Sequence, residues 1–134
     1  MEITTINPAE LARLPGSAHA MLVQGGKTLH LAGQEPLDKD GNCVAPGDVV
    51  KQFEQILANL KVCCNEVGAE MTDIVVMRIY VTDRQLYKAH GRELAPIYRQ
   101  YFGKHFPAMT LVQVAALWND DNLVEIEALA ALPE

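Results

Sequence analysis

Glu125 and Glu127 stand inside an apolar run, LVEIEALA, near the end of the chain. On an extended segment two residues spaced by two project from one face, and a carboxylate shielded from water is suited to general acid–base work or to activating water. No histidine, cysteine or arginine adjoins them in sequence, so any chemistry depends on what other elements bring alongside. The candidates are Arg78 and Tyr80 in DIVVMRIYVTD and His30 in TLHLA. A structural role is the alternative: Arg78 and one glutamate form an ion pair buried between subunits. His19, His30, His90 and His105 have no ligand spacing among themselves or with the cysteines, so no metal is expected.

The elements that position these groups follow from periodicity. AMLVQ (20–24) and TLHLA (28–32) flank Gly25-Gly26, which can take the positive φ angles of a tight turn, and read as a hairpin. EPLDKDGNCVAPGD reads as a loop. In VVKQFEQILANLKVCCNEVG, residues Val49, Phe53, Ile56, Leu60, Cys63 or Cys64, and Val67 recur at helical spacing, with Asp48 as N-cap and Gly68 as the stop. Residues 73–83 are rich in β-branched side chains and form a strand with one apolar face. A second helix is expected over 92–102, before Gly103, with Pro96 in its first turn because deeper placement costs about 3 kcal/mol. That leaves 84–91 as an irregular connection. Strands over about 109–117 and 122–131 finish the order ββ-α-β-α-ββ, joined through Trp118 and the polar turn Asn119–Asn122. The simplest architecture is one α/β (α+β) domain over residues 1–134, with two helices on one face of a mixed sheet.

The last strand then sends Val124, Ile126, Ala128 and Ala130 to one face and Glu125 and Glu127 to the other, with Arg78, Tyr80 and His30. That second face is too apolar to be simply solvated and too charged for a monomer's core, so we expect it to be buried against other subunits.

Composition narrows the function. The 134 residues suit one domain, and 49% hydrophobic with 21% charged residues suit a folded one. A formal charge of −6 and a pI near 5.1 oppose binding to nucleic acid or anionic membranes, which needs clustered Lys and Arg. MEITTINPAELARL has neither the basic start nor the apolar stretch of a secretory signal, and no run approaches the roughly 20 residues of a membrane span. A cytoplasmic protein with reduced cysteines is expected, since three thiols cannot all pair and no CxxC is present.

FPAMTLVQVAALWNDDNLVEIEALA resembles the C-terminal signature of the YjgF/RidA family, the reactive intermediate deaminases, written as PAR, then Ser or Thr, a strand, and VEIE. LAGQEPLDKDGN is similar to that family's SGQ-x-P-x-D-x-x-G segment, and the similarity extends through both helices. The resemblance implies a chorismate mutase-like fold and a homotrimer with a central barrel and three small-molecule clefts between subunits. It further implies hydrolysis of imines and enamines to keto acids and ammonia, with no cofactor and no metal. Glu125 corresponds to the glutamate that positions or activates water. Met109 replaces the arginine that grips the substrate carboxylate, Thr110 fits the Ser/Thr position, and Leu111 stands where many members have cysteine. Ala32 replaces a serine, Gly33 and Gln34 match, and Ser17 falls near a frequent tyrosine. Arg99 and Lys104, close to the cleft-forming segment, are either an anion attractor or a solvated helix end. The chain thus reads as an arginine-lacking branch. Three classes remain open: a hydrolase of altered substrate choice, a non-catalytic metabolite-binding trimer, and an RNA-directed protein, the last disfavoured by charge.

Overall fold

The computed structural model describes residues 1–134. Four strands build the main sheet: β3 (Lys27–Gln34), β4 (Ile74–Val81), β5 (Ala108–Gln113) and β6 (Val124–Leu132), in the order β3-β6-β4-β5. β6 is antiparallel to both neighbours, and β5 runs parallel to β4. A parallel pair needs a crossover connection, here supplied by α2 (Arg84–Ala89) and α3 (Gly91–Phe102). The remaining elements are β1 (Glu2–Ile6), β2 (Ala20–Gln24) and α1 (Val49–Glu66).

Helix α1 is the most regular element. The Asp48 carboxylate accepts from the backbone N–H groups of Val50 and Lys51 at 3.1 and 3.0 Å, so two otherwise orphan donors are satisfied. Gly68, at φ 73°, ends it in the left-handed region. Its buried stripe of Val49, Phe53, Ile56, Leu57, Leu60 and Cys64 packs with Met77, Ile79, Val124, Ile126, Ala128 and Ala130 of the sheet in one core. Burial pushes the Cys64 thiol up to about 11, which keeps it protonated and inert.

Several expectations are corrected. β2 does not pair with β3; it pairs with β1, from Glu2 opposite Gln24 to Ile6 opposite Ala20, in a separate two-stranded sheet. Gly25 and Gly26 do take positive φ, 75° and 76°, but a bend-competent dipeptide does not dictate which edge a strand uses. The stretch 84–91 is not irregular. Asp83 caps α2 by accepting from the Leu86 N–H at 3.0 Å, while Leu86 and Tyr87 pack on the core. Pro96 is the sixth residue of α3 rather than part of its first turn, and so has no N–H for the Arg92 carbonyl. Burial of Leu94 and Phe102 along the same helix offsets that loss. β5 stops at Gln113, four residues before the expected end.

Candidate functional site

The face of the sheet turned away from the helices carries the carboxylates. From Val124 to Ala130 of β6, Val124, Ile126, Ala128 and Ala130 are buried while Glu125 and Glu127 are half-exposed on the other side; at the end of the strand Ala131 and Leu132 are both buried. Arg78 stands opposite Glu127 and Tyr80 opposite Glu125 in the β4–β6 register. The Tyr80 hydroxyl donates to Glu127 Oε1. That bond, with burial and the nearby negative charge, holds the phenol above its ordinary range. Glu127 is therefore partnered by a tyrosine, while Arg78 stays exposed.

Glu125 is the carboxylate set apart. The β3–β6 register shifts between Leu31 and Gln34, a bulge that contains Ala32 and Gly33. There the Glu125 side chain lies against the Gly33 backbone so closely that a Cβ on Gly33 would sit 2.6 Å from Oε2. Burial first, and then the charges of Glu35 and Glu127, raise the Glu125 pKa above its ordinary value. Raising the pKa makes the carboxylate a stronger proton acceptor, which suits a general base. Glu35 is itself held by the Asn122 side-chain amide at 2.6 Å. Gln34 follows the bulge, with its amide 3.4 Å from the Ala32 carbonyl.

Gln52 fixes this end of the sheet and was not anticipated. It is fully buried within α1. Its amide donates to the carbonyls of Ala45 and Asp121 at 3.2 and 3.0 Å and its Oε1 accepts from the Leu123 N–H at 2.8 Å. The loop before α1 and the turn before β6 are thereby pinned to one side chain. A glutamine one turn before Ile56 in an apolar stripe was the available signal.

Met109 and Leu111 occupy the other face. In the parallel β4–β5 register they stand beside Met77 and Ile79, which are buried beneath the helices. They line an open groove of about 630 Å³ between α2, α3 and β5, with Leu94, Tyr98, Lys88 and Arg99. Ser17 also reaches it: its Oγ accepts from the Met109 N–H at 3.1 Å and donates to the Ala18 carbonyl. Tyr98, its phenol pushed up by burial, donates to the His105 carbonyl at 2.7 Å and stacks between Phe102 and Phe106. Lys104 lines a different hollow, beside residues 7–19. His19, His90 and His105 each place a ring nitrogen within 2.8 Å of a backbone carbonyl, of Ala12, Leu86 and Ile74 respectively.

The residues singled out in sequence thus fall into two groups. Gly33, Gln34, Ala32 and Glu125 gather at the bulge; Ser17, Met109 and Leu111 gather in the groove. Thr110 belongs to neither, because it stands beside Arg78 on the face opposite to Met109. Within one chain Glu125 and Met109 lie on opposite faces of the sheet, two strands apart.

Comparison with known proteins shows the class of domain to which this sheet and groove belong. Residues 12–132 match the family model described as Endoribonuclease L-PSP. The 2-iminobutanoate/2-iminopropanoate deaminase of Capra hircus is 33% identical over 113 residues, 84% of this chain and 77% of that protein. A RutC family protein of Pyrococcus abyssi is 30% identical over 121 residues, 90% of this chain and 91% of that one. The Rid family protein YyfB of Yersinia pestis, of unknown function, superposes with a TM-score of 0.88 at 35% identity, covering 98% of this chain and 100% of that chain. The RidA protein of an Antarctic Psychrobacter reaches 0.68 at 26% identity, covering 96% and 99%. The chain belongs to the YjgF/RidA family.

Proposed function

We propose that the protein is a homotrimer that hydrolyses a small imine or enamine in clefts shared between subunits. The observation that carries this reading is Glu125, with its carboxyl pKa raised and its Oε2 against Gly33. The groove of one subunit, lined by Met109, Leu111, Leu94 and Tyr98, holds the substrate's apolar part. Lys88 and Arg99 attract an anionic group. The bulge of a neighbouring subunit supplies Glu125. There the carboxylate takes a proton from water as the oxygen adds to the C=N carbon and passes it to the nitrogen, giving a carbinolamine; it then moves the hydroxyl proton to the nitrogen as the C–N bond breaks, the carbonyl forms and ammonia leaves. The deaminase name of the Capra hircus relative supports this reaction class.

Met109 favours a second reading, a trimer that binds a metabolite without turning it over. A thioether cannot make the bidentate contact that a guanidinium offers a carboxylate. An RNA-directed role is opposed by the net charge of −6. The deciding experiment measures keto acid and ammonia release from imines generated in place by a dehydratase. Turnover by the native chain that Glu125→Gln abolishes supports the hydrolase; turnover unchanged by Glu125→Gln refutes this site. Binding without turnover selects the second reading. Light scattering checks the assembly, and a monomer mass removes the shared cleft altogether.

A further inference from the structure

Residues 1–24 contribute little to the buried core. Of the 27 buried residues only Ala18, 3% exposed, lies among them. Five of the eleven exposed large apolar side chains do: Met1, Ile6, Leu11, Leu14 and Leu22. The segment's hydrogen bonds to the rest of the chain are made at the edge of β5, where the Ala18 N–H bonds the Pro107 carbonyl at 3.2 Å and the Ser17 hydroxyl accepts from the Met109 N–H. Beyond that anchor β1 and β2 pair only with each other.

Each sheet ends in open strand edges, and two of them adjoin in sequence. β2 has a partner on one side, β1, and β3 has a partner on one side, β6. Unpaired edges are templates for a further strand. The two are joined by Gly25-Gly26 alone, yet they form no ladder with each other. Gly26 explains the geometry: a Cβ there would meet the Leu132 carbonyl and the Met1 sulfur, each at 2.6 Å. Packing of the bare backbone into this corner sends β2 away from β3 instead of back along it.

We propose that the β1–β2 hairpin is an exchanged arm, β2 of one chain adding antiparallel to the free edge of β3 in a second copy. The side-chain pattern fits this partner. In the register that a two-residue turn encodes, Leu22 stands opposite Leu29 and Ala20 opposite Leu31. Leu29 and Leu31 face the helices, since they pair with Ala130 and Ala128. The exchange therefore returns Leu22, 49% exposed, to an apolar face, and leaves Met21 and Val23 on the carboxylate side.

The exchange also completes the proposed site, and in that respect it rests on the shared-cleft reading. Continuing the same register brings Ala18 of one chain to the level of Gly33 in the next. Because Ser17 and Ala18 are fastened to Met109 and Pro107 of their own chain, the groove of one copy is drawn toward the Gly33–Glu125 bulge of its neighbour. Glu125 and Met109, which no single chain can bring to one molecule, then flank the same cleft. A heterologous contact of this kind closes into a ring when each arm reaches the next subunit in turn.

The test uses full-length chains with Cys43→Ser and Cys63→Ser, leaving the buried Cys64 in place. A Leu22→Cys chain is co-expressed with a Leu29→Cys chain and treated with a mild thiol oxidant. A disulfide-linked heterodimer on a non-reducing gel is the expected result, and Val23→Cys with Thr28→Cys repeats the test on the other face. Neither single-cysteine chain forms a bridge alone in the proposed register. A chain carrying both Leu22→Cys and Leu29→Cys gives covalent oligomers if the arm is exchanged. An intrachain bridge at monomer mass, or no bridge from either pair, overturns the proposal. Scattering on the same samples separates the two readings: a trimer with only intrachain bridges refutes the exchange and spares the assembly, whereas a monomer refutes both.

Discussion

Gly33→Ala tests the contact that holds Glu125, the proposed acid–base group. The new Cβ would lie 2.6 Å from Glu125 Oε2 and 3.1 Å from its carboxyl carbon, whereas ordinary contact begins at 3.4 Å, so the carboxylate has to move by about 0.8 Å. The charges that bear on it are those of Glu35 and Glu127, both acidic, so movement toward either is opposed. Overpacking of this kind costs about 1–3 kcal/mol, and the yielding atom here is the end of a flexible side chain, so the low end applies. At about 1 kcal/mol the melting temperature falls by roughly 3–5 °C for a domain of this size. Function responds more steeply, because a misplacement near 1 Å in a reacting group costs about 100-fold in rate. Keto acid release and thermal melts are measured on the same preparation. Native turnover with the small melting shift would show that Glu125 lies outside the chemistry. Turnover lost in proportion to folded fraction alone would reduce Gly33 to a packing residue.

Other expectations follow from single contacts. The Glu125 carboxyl has its pKa raised above the ordinary 4.5, so its contribution to stability is present below that pH and is lost as pH rises through the folded value. Glu125→Gln should therefore melt higher than the native chain at neutral pH, with the difference closing in acid; an equal margin at both would refute the burial argument. Asp48→Ala removes the acceptor of the Val50 and Lys51 N–H groups and should cost about 1 kcal/mol, read from the urea midpoint without a change in slope. Met109→Arg adds a guanidinium to the groove. Carboxylate-bearing imines should then be turned over, or carboxylate ligands bound, about 10- to 100-fold better, from the 1.5–3 kcal/mol of a charged hydrogen bond. No gain would mean that the substrate of this chain presents no carboxylate to β5.

Long periodic elements were legible in the sequence, and choices between equivalent partners were not. α1, β4, α3 and β6 each carry enough alternation or helical spacing to declare their type and buried face. α2 is only six residues long, too short for a period to show, and its one signal was Asp83 three residues before Leu86. β1 reads EITTI, plausible as a strand but silent about its partner. The hairpin expectation failed for a related reason: two glycines license a bend, while tertiary packing against Leu132 and Met1 decides whether the flanking strands meet. In the site, Glu125 could be found by its place among apolar neighbours. Its contact with Gly33 could not, because that depends on a register shift in β3. That Met109 and Glu125 face opposite ways follows only once the parallel β4–β5 register is known.

On the proposed hydrolase reading, the lining of the groove sets which imine is preferred. Its β5 wall is apolar, with Met109 and Leu111, and its floor is closed by Ile79, Leu94 and the ring of Tyr98. Its cations, Lys88 and Arg99, come from α2 and α3 instead. An anionic substrate in this groove is thus drawn toward the helical wall, and its apolar part is left against Met109, where a guanidinium would have demanded a carboxylate. Tyr98 cannot help with charge, since burial keeps its phenol protonated and its hydroxyl is committed to the His105 carbonyl. The expected preference is for imines with a bulkier apolar substituent than a methyl group, each added methylene on the β5 side contributing up to about 0.8 kcal/mol of binding. A series of imines of increasing chain length measures this directly. A preference for the shortest member would mean that Met109 fills the space instead of lining it.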